Sequence, residues 1–238
     1  MARADSRLPS SVGLDCADRT VALRVRQSPR ARRIHLRIDA AAGDAELVVP
    51  RGVGLAQAMD FAHRQSGWLS QRLEALPPRI AFAEGSAIPV LGEMLTIRHR
   101  PDQRGGARRE GAELLVAGRP EHLARRVRDW LKALARRELG SRARALAHSV
   151  DRPLRSLRIG DTRTRWGSCS AQRGLAFSWR LVLAPPAVVD YIVAHEVAHL
   201  VELNHGQRFW RLVEELAGDT RSARNWLARH GAALLRYG

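Results

Sequence analysis

The pattern His-Glu-Val-Ala-His at residues 195–199 constrains the fold of this chain more than any other feature. Residues four apart lie on one face of an α-helix, so His195 and His199 can direct their ring nitrogens at one metal ion, with Glu196 beside them. Two prolines precede the segment, and proline suits a first helical turn because its missing N–H would have no partner there. The pattern therefore predicts a buried helix that carries a metal site and its own carboxylate base.

A catalytic metal site needs a third protein ligand and one open position. His205 is the leading candidate, because it follows His199 by six residues and Asn204 tolerates the left-handed backbone with which helices often end. The spacing His-Glu-x-x-His-x5-His matches the metzincin pattern. Glu202 stands where metzincins place a glycine, so we expect a different turn geometry.

Glu214 and Glu215 are alternative third ligands, because some zinc peptidases recruit a glutamate from a downstream helix. Both are predicted on the polar side of the next helix, whereas His205 lies in the turn. A second interpretation is that the two motif histidines are ordinary core residues and that His205 only caps the following helix.

The segments around this motif resemble the YgjP-like zinc metallopeptidases, which are relatives of the SprT-like proteases. The resemblance extends from about Arg32 to Trp226 and is most specific in the C-terminal half. It implies a zincin-like catalytic region, zinc as cofactor, a protein or peptide substrate, His195, His199 and His205 as zinc ligands, and Glu196 as catalytic base. The segments that carry it are Arg165-Trp166-Gly167-Ser168-Cys169-Ser170, Asp190-Tyr191, the motif itself, Asn204-His205 and Phe209-Trp210.

The constellation predicts a hydrolytic mechanism. Zinc held by three neutral imidazoles lowers the pKa of a bound water to about 7, and Glu196 would take the proton from that water as it attacks. The developing oxyanion needs a positive or hydrogen-bonding partner, for which Arg165, Arg163 and Tyr191 are candidates. We assign substrate binding to Arg165, although a salt bridge that pins a hairpin explains this arginine equally well.

The chain changes character near residue 119, and the fold class is predicted as α+β. Residues 1–118 are a β-rich region, a mixed sheet with one helix over Leu55 to Leu76. Residues 119–238 are the zincin-like catalytic region, and the two regions can also pack as a single domain. Extended segments are predicted at Val21 to Val25, Ile34 to Ile38, Leu47 to Val49, Ile88 to Val90, Met94 to His99 and Ala112 to Val116. Residues 39–43 are predicted to join the second and third of these segments as a hairpin-like turn.

The C-terminal half is predicted to place a small antiparallel sheet against the motif helix. Apolar residues alternate from Leu175 to Leu183, which predicts one strand with one buried face, preceded by a hairpin loop over residues 171–174. A sheet across the metal helix could align an extended peptide by adding it as a further strand. An amphipathic helix that starts near Pro120 is expected to pack on the motif helix.

The formal charge of +16 leaves partners other than a peptide open. A positive field attracts phosphates, so the arginine clusters predict non-specific contact with DNA or nucleotides; the alternative interpretation is a charge that is only solvated. Two alternative functions follow: a nucleotide phosphoanhydride hydrolase, and a non-catalytic zinc protein that binds nucleic acid. The clusters are Arg30, Arg32, Arg33 and Arg37, then Arg98, Arg100, Arg104, Arg108 and Arg109, then Arg152, Arg155, Arg158, Arg163 and Arg165.

The two cysteines and the N-terminal sequence predict a cytoplasmic protein. Cys16 and Cys169 are too few for a disulfide framework, and we expect Cys16 in a frayed N-terminus. The first residues contain no apolar run long enough for a signal peptide, and no segment reaches transmembrane length. No membrane partner is expected.

Overall fold

The computed structural model describes residues 8–16 and 19–238 and divides the chain into two compact units, one that ends at Pro77 and one that comprises Pro78–Gly238. This division lies earlier in the chain than the change of character predicted at residue 119. The expectation that the chain begins without a signal peptide rests almost entirely on residues 1–7, which lie outside the described residues. No helix in the described ranges has both the length and the apolar character needed to cross a membrane.

The first unit is a four-stranded sheet with two helices. Its strands are β1 (Ser11–Cys16), β2 (Arg19–Ser28), β3 (His35–Asp39) and β4 (Asp44–Pro50), in the order β1-β2-β4-β3. The β2–β4 pair is parallel and the other two pairs are antiparallel, which confirms a mixed sheet and the predicted β3–β4 hairpin. The prediction of a frayed Cys16 is wrong, because Cys16 pairs with Arg19 in the sheet and is buried.

The predicted single helix over Leu55 to Leu76 is two helices, α1 (Leu55–Arg64) and α2 (Ser66–Glu74). They are separated by Gln65, whose φ of −104° and ψ of 6° lie outside the helical region. The Gln65 N–H donates to Ala62 O, three residues back, so the regular hydrogen-bond ladder ends there. Ala58, Ala62 and Leu69 are fully buried in a core shared with the sheet.

The second unit begins with another four-stranded sheet, of order β5-β6-β8-β7. It comprises β5 (Ala87–Val90), β6 (Glu93–Arg100), β7 (Ala107–Glu110) and β8 (Glu113–Ala117), and β6 and β8 are parallel. After a 3₁₀ turn at Pro120–His122 comes the long helix α3 (Leu123–Ser149), whose apolar face includes Val127 and Leu131. Ile97 and Leu114 of the sheet share one core with that face, which is why the sheet belongs to the C-terminal unit.

A three-stranded sheet of order β10-β11-β9 follows, formed by β9 (Ser156–Gly160), β10 (Gly167–Cys169) and β11 (Gly174–Ser178). β10 and β11 are antiparallel but β11 and β9 are parallel, so the predicted antiparallel sheet is in fact mixed. The strand predicted up to Leu183 ends at Ser178, and Trp179–Leu183 is a 3₁₀ helix buried on all sides. Arg180 is buried there because it pairs with Asp161, a contact that the alternating sequence could not reveal.

The last three helices are α4 (Pro186–Ala198), α5 (Gln207–Ala217) and α6 (Thr220–Leu234). α4 carries the motif and lies in the middle of the unit, in contact with α3, α5, α6 and β10. Val189, Val193 and Val197 are fully buried, which confirms the prediction of a buried helix. Gly218, at φ 73°, ends α5 as expected for a glycine after a helix.

Candidate active site

The C-terminal end of α4 presents the side chains of His195, Glu196 and His199 to one cavity. The two imidazole rings lie 5.1 Å apart between centroids, as the helical spacing requires. α4 ends at Ala198, and His199 keeps helical dihedrals as its cap. The last turn of a buried helix therefore fixes both rings.

His205 reaches the same point after a tight turn of the chain. Its Nε2 lies 3.2 Å from Nε2 of His195. The expectation of left-handed backbone at Asn204 is wrong, because the non-glycine residues of positive φ in the described part of the chain are elsewhere. The turn is made by helix-terminal hydrogen bonds from the N–H groups of residues 200–202 to the carbonyls of Val197 and Ala198, and by Gly206 N–H to Asn204 O.

One ring nitrogen from each of the three histidines lies within 4.8 Å of the other two. Tetrahedral zinc with histidine ligands places its nitrogens about 3.4 Å apart, so small side-chain shifts would complete such a site. Nδ1 of His199 donates to Glu202 O at 3.1 Å, which leaves its Nε2 lone pair available. The three rings fit a metal ion.

Burial favours the protonation state that a metal requires. It lowers the pKa of His195 to about 4, with the neighbouring His199 and His205 adding to the effect, and it also lowers the pKa of His199. Both rings are therefore neutral at pH 7 and can act as ligands. Phe209 is fully buried against the histidines, with its ring centroid 4.5 Å from that of His199.

Glu196 is only 6% exposed, although it is the one carboxylate of the motif. Burial raises its pKa to about 7, and the positive charge of Arg165 opposes part of that rise. Gly167 of β10 lies directly against the carboxyl: a Cβ atom at that position would be 2.6 Å from Oε1 of Glu196. The carboxyl of this α4 residue thus lies directly against an edge strand.

The cavity has a volume of about 490 Å³ and is open to solvent on one side. β10 forms one wall with Gly167, Ser168 and Cys169, and this strand is at the edge of its sheet. Leu203 also lines the cavity and is 74% exposed. The arrangement is a cleft with three histidines and a carboxyl beside a strand edge.

A family model for the YgjP-like metallopeptidase domain matches residues 32–230. The chain belongs to the YgjP-like family. This result confirms the resemblance drawn from the sequence. The mixture of helices and strands also confirms the predicted α+β fold class. No curated protein and no solved structure matches the chain. Membership of the YgjP-like family makes the protein a metal-dependent hydrolase of the peptidase type.

The two glutamates that were considered as alternative third metal ligands do not lie at the histidine cluster of this YgjP-like chain. Glu214 and Glu215 are exposed on α5, and Glu215 forms an ion pair with Arg211 at 3.8 Å. Among the residues described, neither glutamate joins the group of converging ligand atoms.

Arg165 lines the cavity, is exposed and acts on the pKa of Glu196. Within residues 8–16 and 19–238 it has no carboxylate within 4.0 Å, so the hairpin salt bridge proposed as its alternative role is not observed. Tyr191 is buried, and its ring meets that of His195 edge-on at 6.0 Å. Cys169 lines the cavity but stays outside the histidine group, and burial raises the pKa of its thiol.

Sequence reasoning missed the contribution of Gly167 and Ser168 to the site. Both residues belong to the run 165–170 that carries the resemblance. The feature that could have indicated their role is the glycine that directly follows Trp166. Only the contact between β10 and Glu196 gives Gly167 a role.

The second arginine cluster of this YgjP-like protein is largely neutralised by ion pairs. Arg98 donates to Glu113 at 2.9 Å, and Arg108 to Glu110 at 2.7 Å. Arg100 and Arg109 also lie beside carboxylates, those of Glu113 and Glu93. The cluster offers less free positive charge to a phosphate than its sequence suggests.

Proposed function

We propose that the protein is a zinc-dependent peptidase in which His195, His199 and His205 hold the metal and Glu196 is the general base. The observation that carries the proposal is the convergence of the three ring nitrogens beside a buried carboxyl that lines the same cavity. Two motif histidines alone are compatible with a core role, whereas the convergence of three ring nitrogens within 4.8 Å of one another supports a metal site.

The donor set favours zinc over other divalent ions. Three neutral imidazoles with one open position suit zinc, whereas magnesium and calcium prefer oxygen ligands. A zinc ion held there would polarise the scissile carbonyl and lower the pKa of a water to about 7.

Glu196 would move the proton in this reaction. With a pKa near 7, its carboxylate can accept a proton from the attacking water at neutral pH and return it to the leaving amine. Its burial beneath β10 limits the contact of the carboxyl with bulk water. Arg165 lines the cavity, where its guanidinium would bind the substrate or the developing oxyanion.

The edge of β10 would align the peptide. An extended chain can pair with an exposed strand edge through backbone hydrogen bonds, and β10 has β11 on one side only. Because Gly167 and Ser168 also line the cavity, a peptide on this edge would pass beside Glu196.

We further propose a cytoplasmic location for the protein. We also propose that the arginines of the three clusters make non-specific contact with DNA or nucleotide phosphates.

The test compares zinc-loaded wild type with Glu196→Gln on casein, with and without DNA, and on nucleoside triphosphates. We expect casein cleavage by the wild type and a rate about 100-fold to 10,000-fold lower in Glu196→Gln with zinc retained. Glu214→Gln, the same change at an exposed glutamate of α5, is the control and should retain activity.

Cleavage of triphosphates alone would identify a nucleotide hydrolase and reject the peptidase proposal. Full activity in Glu196→Gln would reject Glu196 as the base. DNA binding by a zinc-loaded protein that hydrolyses neither substrate would favour a non-catalytic role.

A further inference from the structure

A second cavity, of about 350 Å³, adjoins the active site along β10. The two cavities share Arg165, Ser168, Cys169 and Ser170. The second one lies over the sheet β10-β11-β9 and also includes Ser156 and Arg158 of β9. A peptide held on the β10 edge would therefore border both cavities.

Small residues make room for this second cavity. In the sheet register, Ser168, Ala176 and Arg158 lie in one row across the three strands. Gly174 lies opposite Ser156, and a Cβ atom at Gly174 would be 2.7 Å from Oγ of Ser156. The same Cβ would be 3.1 Å from Oγ of Ser170, so two hydroxyl groups approach each other above a glycine.

The polar groups of this cavity are complementary to an anion. Its lining includes two arginines and three serines and no acidic residue. In the described part of the chain, neither Arg158 nor Arg165 has a carboxylate within 4.0 Å, in contrast to Arg24, which lies 2.6 Å from Asp39. Ser170 Oγ accepts the Gly174 N–H at 3.0 Å, which leaves its hydroxyl hydrogen free to donate.

We infer that this cavity is a substrate subsite that binds the carboxylate of an aspartate or glutamate side chain near the scissile bond. The inference rests on the proposed peptidase function. Side chains of an extended peptide alternate between the two faces of a sheet, so a peptide on the β10 edge directs every second side chain toward the face that carries Arg158. An arginine can hold a carboxylate through two parallel hydrogen bonds, and the serine hydroxyls add further donors.

The subsite is tested first by binding, with zinc-loaded Glu196→Gln protein so that no peptide is cleaved. The probes are fluorescein-labelled, alanine-based nonapeptides in which one aspartate is moved along the sequence, each matched with its asparagine counterpart. At particular positions the aspartate peptide should bind about tenfold more tightly than its counterpart. Adding Arg158→Ala should abolish that difference. Arg158→Glu should instead favour a third peptide, in which lysine replaces the aspartate at the same position.

Arg155→Ala is the matched control, because Arg155 is an exposed neighbour that lines neither cavity. It should keep the aspartate preference. If aspartate strengthens binding equally at every position, or if Arg155→Ala weakens it as much as Arg158→Ala does, the effect is only the general positive field and the subsite is rejected.

Cleavage of casein then separates this inference from the proposed function. Cleavage sites mapped by mass spectrometry should carry aspartate or glutamate at a fixed distance, with this enrichment lost in Arg158→Ala. Cleavage without any acidic preference would reject the subsite but not the proposed peptidase function. Position-specific aspartate binding without cleavage would support the carboxylate-binding site and reject the proposed peptidase function.

Discussion

Gly167 on β10 and Glu196 on α4 are in such close contact that a Cβ atom at 167 would lie 2.5 Å from Cγ of the glutamate. No side chain larger than hydrogen fits between the strand and the carboxyl. The edge strand therefore both lines the cleft and fixes the position of the proposed base.

Replacement Gly167→Ala should lower kcat for peptide hydrolysis by about 100-fold, because it displaces the Glu196 carboxyl by about an ångström. Zinc affinity should change little. Gly160→Ala in β9 is the matched control, since its new Cβ would have no heavy atom nearer than 4.0 Å. Unchanged turnover in Gly167→Ala would show that hydrolysis does not need the carboxyl at this position.

Replacement His205→Ala should weaken zinc binding by more than about 100-fold, measured by competition with a chromophoric chelator. The expected cause is the loss of the nitrogen that lies 3.2 Å from Nε2 of His195. Glu215→Ala should leave the affinity unchanged because Glu215 pairs with Arg211 on the surface of α5. The opposite pattern would assign the third ligand to α5.

Removal of the metal with a chelator should lower the midpoint of thermal unfolding. A ligand that binds only the folded state adds about 2.7 kcal/mol of stability at a hundred times its dissociation constant. His195→Ala should lose this zinc-dependent shift, and Glu196→Gln should retain it. A shift of equal size in His195→Ala would place the metal elsewhere.

The ion pair between Glu138 and Arg142 should make part of the stability pH-dependent. Arg142, which also donates to Asp190 of α4 at 2.8 Å, holds the pKa of the Glu138 carboxyl below its usual value of 4.5. A lowered carboxyl pKa stabilises the fold above the unfolded pKa, and this contribution is lost as the pH falls through the folded pKa.

We therefore expect Glu138→Gln to be less stable than wild type at pH 7 by up to about 1 kcal/mol, and the difference to be smaller at pH 3, because the carboxyl gains protons as the pH falls. Denaturant unfolding at both pH values measures it. Glu121→Gln, whose partner Arg119 is 3.9 Å away on an exposed turn, should show almost no difference at either pH. A constant deficit in Glu138→Gln would assign the effect to packing rather than charge.

The fold was predictable where one segment decides its own structure. The buried helix that carries the motif and the hairpin of β3 and β4 follow from local patterns of apolar residues and turn residues. The prediction of a strand up to Leu183 was wrong for its last five residues. Apolar residues recur there because the segment is buried on all sides, and not because it is a strand. The parallel pairing of β11 with β9 joins segments that are separated by β10, and no local pattern encodes it.

The sequence by itself determined the pairing of His195 with His199 and the place of Glu196 between them, because the period of the helix fixes which side chains share a face. Only the tertiary structure decided where His205 lies, since the turn after α4 uses ordinary backbone instead of the left-handed residue that the sequence suggested. It also decided the pKa of Glu196. That value depends on burial beneath β10, a strand from another part of the chain, and desolvation is a property of packing that no spacing of residues encodes.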